Sequence, residues 1–192
     1  MKKLSLVVIA FYLFGCNQSA EFSEATIEGL AELPSNATKE PYEGSPDLVK
    51  VTYTDPDGIV NSGDYLLGKR NGTWTEFHSN GLVKSVTGYV GGLKQGSYTE
   101  IDDRGQLMVS ASYYNDKLHG TWTKFNRSRV KEEKNFVNGK LEGVSKMFYD
   151  TGNLMEEGNY ANGVRHGVSK WYDQQGNVTI EYEYENGELI NK

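Results

Sequence analysis

The sequence predicts an all-β fold, an elongated single-layer antiparallel β-meander built of hairpin repeats about 24 residues long. Two observations establish the repeat, and a third assigns its structure. Glycines fall at Gly72, Gly96, Gly120, Gly143 and Gly167, spaced 24, 24, 23 and 24 residues apart. Five residues after each comes a bulky apolar side chain (Phe77, Ile101, Phe125, Phe148, Tyr172), and an aromatic closes each unit (Tyr89, Tyr113, Phe136, Tyr160, Tyr184). Between these markers the chain alternates with period two, as Val178, Ile180, Tyr182 and Tyr184 do against Thr179, Glu181 and Glu183. Such alternation marks a half-buried strand. A period in this range belongs to stacked arrays, where each unit packs only on its neighbours.

The chain opens with Lys2 and Lys3 and then runs apolar over residues 4–14. That run has the length of a secretory signal and is too short to span a bilayer as a mature helix. Ordinary cleavage before Cys16 would want a small residue three positions back, where Leu13 stands. Leu13-Phe14-Gly15-Cys16 instead resembles the bacterial lipobox, although Phe14 is bulkier than usual there. The resemblance implies a signal peptide over residues 1–15, lipidation of Cys16 and a firm membrane anchor bearing several acyl chains. One chain alone would hold only marginally. Asn17 after the cysteine points to the outer membrane of the bacterial cell envelope. Cys16 is the only cysteine, which excludes an intramolecular disulfide and a thiolate metal cluster.

Residues 16–41 read as an acidic, flexible tether. Residues 17–47 carry seven acids and one base, Lys39, whereas from Leu48 onward 17 bases face 19 acids. The net charge of −6 therefore belongs to the tether, and the body is near neutral. That balance argues against a nucleic-acid surface or attraction to anionic lipid. Glu24, Glu28 and Glu32 line one side of an expected short helix, with Ile27, Leu30 and Ala31 on another face and Pro34 at its end. Pro41 and Pro46 then favour extended chain. A flexible segment of this length spans on the order of 30 Å.

The array occupies residues 42–192 in about six copies, the first and last degenerate. Residues 48–53 with Asp57-Gly58 and Tyr65 form a worn first copy, and Tyr184-Glu185-Asn186-Gly187 begins an incomplete one. Atypical terminal copies act as caps. In each unit the first strand is expected to start at the internal glycine, as in residues 72–77. A turn such as Ser79-Asn80-Gly81 or Asp150-Thr151-Gly152 leads to the second strand. Asn138-Gly139 and Asn162-Gly163 join successive units, because both residue types tolerate positive φ. The third copy is one residue short and has Arg129 where the others carry a second glycine. Val130, Glu132, Lys134 and Phe136 keep period two, so the deletion falls in the turn at Asn126, Arg127 and Ser128.

The combined pattern Tyr-x-Asn-Gly-x-x-x-Gly-x-Trp-x-x-Phe-x-x-x-Gly-x-Leu resembles the MORN repeat variant of many bacterial proteins, some of them labelled antitoxins. The resemblance covers residues 42–192. Trp74, Tyr98 and Trp122 match the family's aromatic position two after the glycine, and Ser145 and Ser169 depart from it. It implies the architecture; for function it implies only an association with immunity or antitoxin-like roles.

Catalytic and metal chemistry find no constellation in the residues. His119 and His166 each precede an internal glycine, two hairpins apart, which is ~19 Å at ~4.8 Å per strand and too far to share a metal. His78 lies in a different turn. Asp102-Asp103 and Asp55-Pro56-Asp57-Gly58 read as acidic turns, the latter without the ligand ladder of a calcium loop. The chain has no Gly-x-Ser-x-Gly elbow, phosphate loop or nucleophilic cysteine. The expectation is a protein that is not an enzyme and uses no cofactor or metal.

An aromatic line holds the functional promise. By strand parity Trp74, Tyr98, Trp122, Met147 and Trp171 share a face, opposite Phe77, Ile101, Phe125, Phe148 and Tyr172. A single-layer sheet leaves one face open, and exposed aromatics there suit binding. The same rings could instead stack along the array and hold neighbouring hairpins together. The leading expectation is a non-enzymatic scaffold, tethered to the envelope, that holds a protein partner by its sheet face or turn edge. The alternative is a glycan or peptidoglycan binder in which Trp74, Trp122 and Trp171 stack on sugar rings.

Overall fold

A computed structural model describes residue 30 and residues 32–191. Cys16, the signal segment and most of the expected short helix lie outside the described residues. All strands belong to one open antiparallel sheet in which chain neighbours are sheet neighbours. It begins with β1 (Thr38–Tyr42), β2 (Ser45–Thr54), β3 (Val60–Leu66), β4 (Lys69–Phe77), β5 (Val83–Val90), β6 (Leu93–Ile101) and β7 (Leu107–Tyr114). The centre holds β8 (Lys117–Leu118), β9 (Gly120–Asn126), β10 (Arg129–Val137), β11 (Lys140–Leu141) and β12 (Gly143–Phe148). The far end holds β13 (Leu154–Ala161), β14 (Val164–Tyr172), β15 (Val178–Glu185) and β16 (Glu188–Asn191). Short breaks at His119 and Glu142 separate β8 from β9 and β11 from β12. The fold is the expected meander of hairpins.

Two boundaries differ from the sequence expectation. The sheet starts at Thr38, inside the segment read as tether, with Thr38 opposite Thr52 and Pro41 opposite Val49. Proline is tolerated there because β1 is an outer strand. Leu30 is fully buried against Val49, Val51 and Trp74, with Leu33 and Ala37 packed beside it. Leu30, Leu33 and Ala37 therefore settle on a sheet face that no second layer covers among the described residues.

The internal glycine starts a strand only in the third and fourth units, where β9 begins at Gly120 and β12 at Gly143. β4, β6 and β14 begin three residues earlier and run through Gly72, Gly96 and Gly167. Around Gly72, β4 advances from Asn71 to Thr75 while β3 advances only from Asp64 to Ser62. Gly72 takes φ 69° at this bulge, a left-handed value that side chains disfavour. From β5 on, each returning strand carries a second bulge near its start, as at Lys84 in β5 and at Lys131 in β10.

Both edges of the sheet are bonded from unit to unit. At the tight-turn edge, Asn138-Gly139, Asn162-Gly163 and Asn186-Gly187 hold both residues at positive φ, as Asn-Gly turns favour. Their amides are not left to solvent. Gly139 N–H donates to the Leu118 carbonyl (2.8 Å), Gly163 to Leu141 (2.9 Å), Gly187 to Arg165 (2.8 Å), and Gly92 likewise to Arg70 (2.9 Å). At the opposite edge, Asn80 Nδ2 donates to the Asp103 carbonyl (2.8 Å) and Asn153 Nδ2 to the Gln174 carbonyl (2.7 Å). The Tyr149 hydroxyl donates to the Tyr172 carbonyl (2.6 Å) in the same manner.

Leu30, Val49, Val51 and Trp74 form a buried apolar cluster. A Cβ at Gly63 would lie 2.4 Å from the Trp74 ring, so glycine is what lets the indole rest on β3. Leu30→Ala is expected to cost about 2–3 kcal/mol, read as a lower urea midpoint at unchanged m-value. An unchanged midpoint would show that residues 30–37 do not hold the sheet.

Candidate functional site

Strand registers place Trp74, Tyr98, Trp122, Met147 and Trp171 on one face. Trp74 faces Thr87, Thr87 faces Tyr98, and Tyr98 faces Ala111. Met147 lies between Glu132 and Glu156, and Glu156 faces Trp171. They do not form one file. Trp74, Tyr98 and Trp122 stand two residues past their internal glycines, Met147 and Trp171 four past theirs. Ser145 and Ser169, both buried, take the first row in the later units. Trp74 is only 3% exposed, which corrects its expected role as a binding ring: Leu30 and its neighbours cover it. Tyr98, Trp122, Met147 and Trp171 are half-buried.

Cations lie over these rings. The Arg70 guanidinium sits 4.3 Å from the Trp74 ring centre and 5.4 Å from Tyr89. Lys94 Nζ sits 5.1 Å from Tyr113 and 5.8 Å from Tyr98. Arg165 lies 5.2 Å from Trp171, 5.3 Å from Tyr160 and 5.5 Å from Tyr184. All three cations stand two residues before an internal glycine. In the third unit that position is Leu118, and Lys134 covers Trp122 instead at 5.1 Å. Each such contact contributes ~0.5–1 kcal/mol when exposed and ~2 when desolvated. The rings also meet edge to face, Tyr65 with Trp74 at 5.4 Å and Tyr98 with Tyr113 at 5.9 Å. Burial raises the Tyr98 pKa, and Glu100 beside it adds to the rise, so the hydroxyl stays protonated and donates to Glu100 (3.1 Å). A sugar ring needs an open aromatic face, and here cations occupy the faces of Trp74, Trp122 and Trp171.

The opposite face is polar along its middle. Thr52, Ser62, Thr75, Val86, Thr99, Ser110 and Thr123 follow one another in register. Glu133, Lys146, Glu157, Lys170 and Glu181 continue that row with alternating sign. Exposed ion pairs of this kind contribute roughly 0–1 kcal/mol each.

Exposed apolar groups gather elsewhere, on this same face at the tight-turn edge. Leu66 is 40% exposed, Val90 60%, Leu93 43%, Tyr114 50%, Val137 46% and Val164 44%. Registers pair Leu66 with Lys69, Val90 with Leu93, Tyr114 with Lys117, Val137 with Lys140 and Ala161 with Val164. The result is one pair per hairpin, ~9.6 Å apart at ~4.8 Å per strand. Leu67 adds to the row: it is 64% exposed at φ 50°, where later turns place asparagine. The sequence reading missed this row. Its signature was the apolar residue directly after four of the five closing aromatics, at Val90, Tyr114, Val137 and Ala161.

The histidines have local partners. His119 Nδ1 and His166 Nδ1 accept the amides of Asn138 and Asn186 at 3.5 Å. Gln95 Oε1 and Glu142 Oε2 do the same for Asn115 and Asn162. His78 Nε2 donates to the Ile101 carbonyl at 2.9 Å. Among the described residues, no three His, Cys, Asp or Glu side chains are grouped as metal ligands.

A sheet of stitched hairpins, cation-covered on one face and apolar along one edge of the other, defines a hairpin-repeat scaffold. Residues 141–162 and 165–190 match the family described as MORN repeat variant. No match to a curated protein is found. Upstream hairpins repeat the same bulge at Gly72 and Gly96 and the same turn-to-turn bond at Gly92 and Gly139.

The Lys134 ammonium over Trp122 is held by Glu132 at 2.6 Å, with Lys124 at 3.7 Å. The hydrogen bond from Lys134 holds the Glu132 carboxyl below its usual range, aided by Lys124. Stability from this depressed carboxylate is fully present above about pH 4.3, the unfolded value, and is lost as pH falls through the folded one. Glu132→Gln is therefore expected to lower Tm at pH 7 and to flatten its decline below about pH 4.5. An unaltered acid limb in the melting curve would contradict the coupling.

Proposed function

We propose that this protein is a non-enzymatic scaffold that holds a protein partner along its tight-turn edge. The observation that carries the proposal is the row of Leu66, Val90, Leu93, Tyr114, Val137 and Val164, exposed apolar groups repeating once per hairpin. Contiguous exposed apolar surface of this kind marks interaction sites. Lys69, Lys117 and Lys140 alternate along it, so the fitting partner offers apolar groups flanked by carboxylates. Leu67 in a left-handed conformation supports the reading, because a strained exposed leucine is retained where asparagine would be easier.

Lipidation at Cys16 would place the scaffold at the cell envelope, with the outer membrane as the address that Asn17 suggests. An immunity or antitoxin-like role is one form such partner-holding takes. The glycan alternative rests on the aromatic rings alone, and the cations over them weigh against it.

The test is affinity capture on the tagged full chain from detergent-solubilised envelope, wild type against Val90→Asp with Tyr114→Asp. Both positions are exposed, Tyr114 with one ring contact to His119, so the double variant is expected to lose no more than about 1 kcal/mol, about 0.5 for each substitution. A stoichiometric protein held by the wild type and lost by the variant is the expected result. A partner retained by the variant would overturn the assignment of the edge.

A further inference from the structure

We propose that the third unit carries a phosphate-binding site at the edge opposite the apolar row. Asn126, Arg127, Arg129, Lys131 and Asp150 line a cavity of about 500 Å³, within the range of about 300–1,000 Å³ usual for small-molecule sites. Three cations meet one carboxylate there. Lys131 Nζ lies 2.5 Å from Asp150 Oδ1, and Arg129 Nη1 donates to the Asp150 backbone carbonyl at 2.7 Å. Asp150 offsets one charge, which leaves two positive charges on a body where 14 other bases face 18 other acids. Among the described residues the Arg127 guanidinium makes no hydrogen bond and no close ion pair, and its charge helps hold the Asp150 carboxyl below its usual range.

The backbone gives an independent reason. The corresponding turns of the other units use a left-handed glycine, at Gly58, Gly81, Gly105, Gly152 and Gly176. The third unit turns instead on Arg127 at φ 50° and Ser128 at φ 63°. A long side chain is disfavoured in that region, and strain of this kind is kept where surrounding function requires it. The shortened turn and the bulge at Lys131 together set the three cations around one cavity.

The ligand follows from these groups. Guanidinium forks match phosphate oxygens in paired hydrogen bonds, and a nearby ammonium adds charge. The cavity exceeds what a bare phosphate fills, so the phosphate is carried on a larger group. Asp150, whose side chain is 87% exposed, is placed to accept from a hydroxyl of that group.

The test uses the full chain with Cys16→Ser, so that no acyl group is attached, titrated calorimetrically with glucose 6-phosphate and with inorganic phosphate. A second arm measures sedimentation with vesicles of phosphatidylcholine alone or containing phosphatidic acid. The variants are R127N/S128G, which restores residues suited to the turn, and R127K, which keeps the charge but loses the fork. Wild type is expected to bind glucose 6-phosphate more tightly than inorganic phosphate, and R127N/S128G to lose at least tenfold in affinity at equal or higher Tm. R127K is expected to bind several-fold more weakly at unchanged Tm. Arg127-dependent sedimentation on phosphatidic acid, without binding of the soluble phosphates, would assign the phosphate to a lipid headgroup. Absence of binding to all three phosphate probes, or affinities untouched by both variants, would overturn the site. A lower Tm for R127N/S128G would overturn the strain argument, and R127K would then decide the binding.

Discussion

Among the described residues the sheet is one layer thick, and the rest of this structure depends on what replaces a second layer. The replacement begins at the chain reversals. Each tight turn from the third unit on puts its glycine amide on a carbonyl of the unit before, as Gly139 does on Leu118 and Gly163 on Leu141. Side chains just before the internal glycines cap the same turns from the other side, through Gln95, His119, Glu142 and His166. Backbone groups that a free hairpin would expose to water are thus paired within the array. Every unit leans on its neighbour, which makes stability a sum of adjacent interfaces and not the property of one core.

Above the backbone, the ring face completes the replacement. Arg70, Lys94, Lys134 and Arg165 lie on the aromatics as a thin charged layer, and their aliphatic stems cover apolar surface while their heads stay wet. At the amino-terminal end Leu30 does the same work with apolar contacts. This division separates stability from display. Rings under cations are committed to holding hairpins together, whereas Val90 and Tyr114 at the tight-turn edge stay at least half exposed, Tyr114 with one ring contact to His119.

The repeat was legible in the sequence because it is written in residue types that only a few conformations accept. Asn-Gly at the tight turns and alternation in residues 178–184 gave the hairpins and the meander. At Gly72, Gly96 and Gly167 the internal glycine lies inside a strand for a physical reason: a left-handed residue ends a strand or bulges it, and only the register on the neighbouring strand tells which. Acidity concealed the true start of the sheet, since Leu30, Leu33 and Ala37, not the charges around them, decide where that segment rests. Parity correctly grouped the five candidate side chains on a face, but parity carries no depth. It could not show that Trp74 is covered by Leu30 or that Arg70, Lys94 and Arg165, each two residues before an internal glycine, fold back over the rings. The cavity at Arg127 was visible only as an exception, a missing glycine in a unit one residue short.

The most direct test of the account is hydrogen exchange at the turn glycines, followed residue by residue by NMR. If neighbouring units are stitched through their reversals, the amides of Gly92, Gly139, Gly163 and Gly187 will be protected like those of mid-strand residues, despite lying at hairpin tips. Exchange at the rate of an unstructured loop would contradict the account, because it would mean that the hairpins stand side by side without the bonds said to hold them.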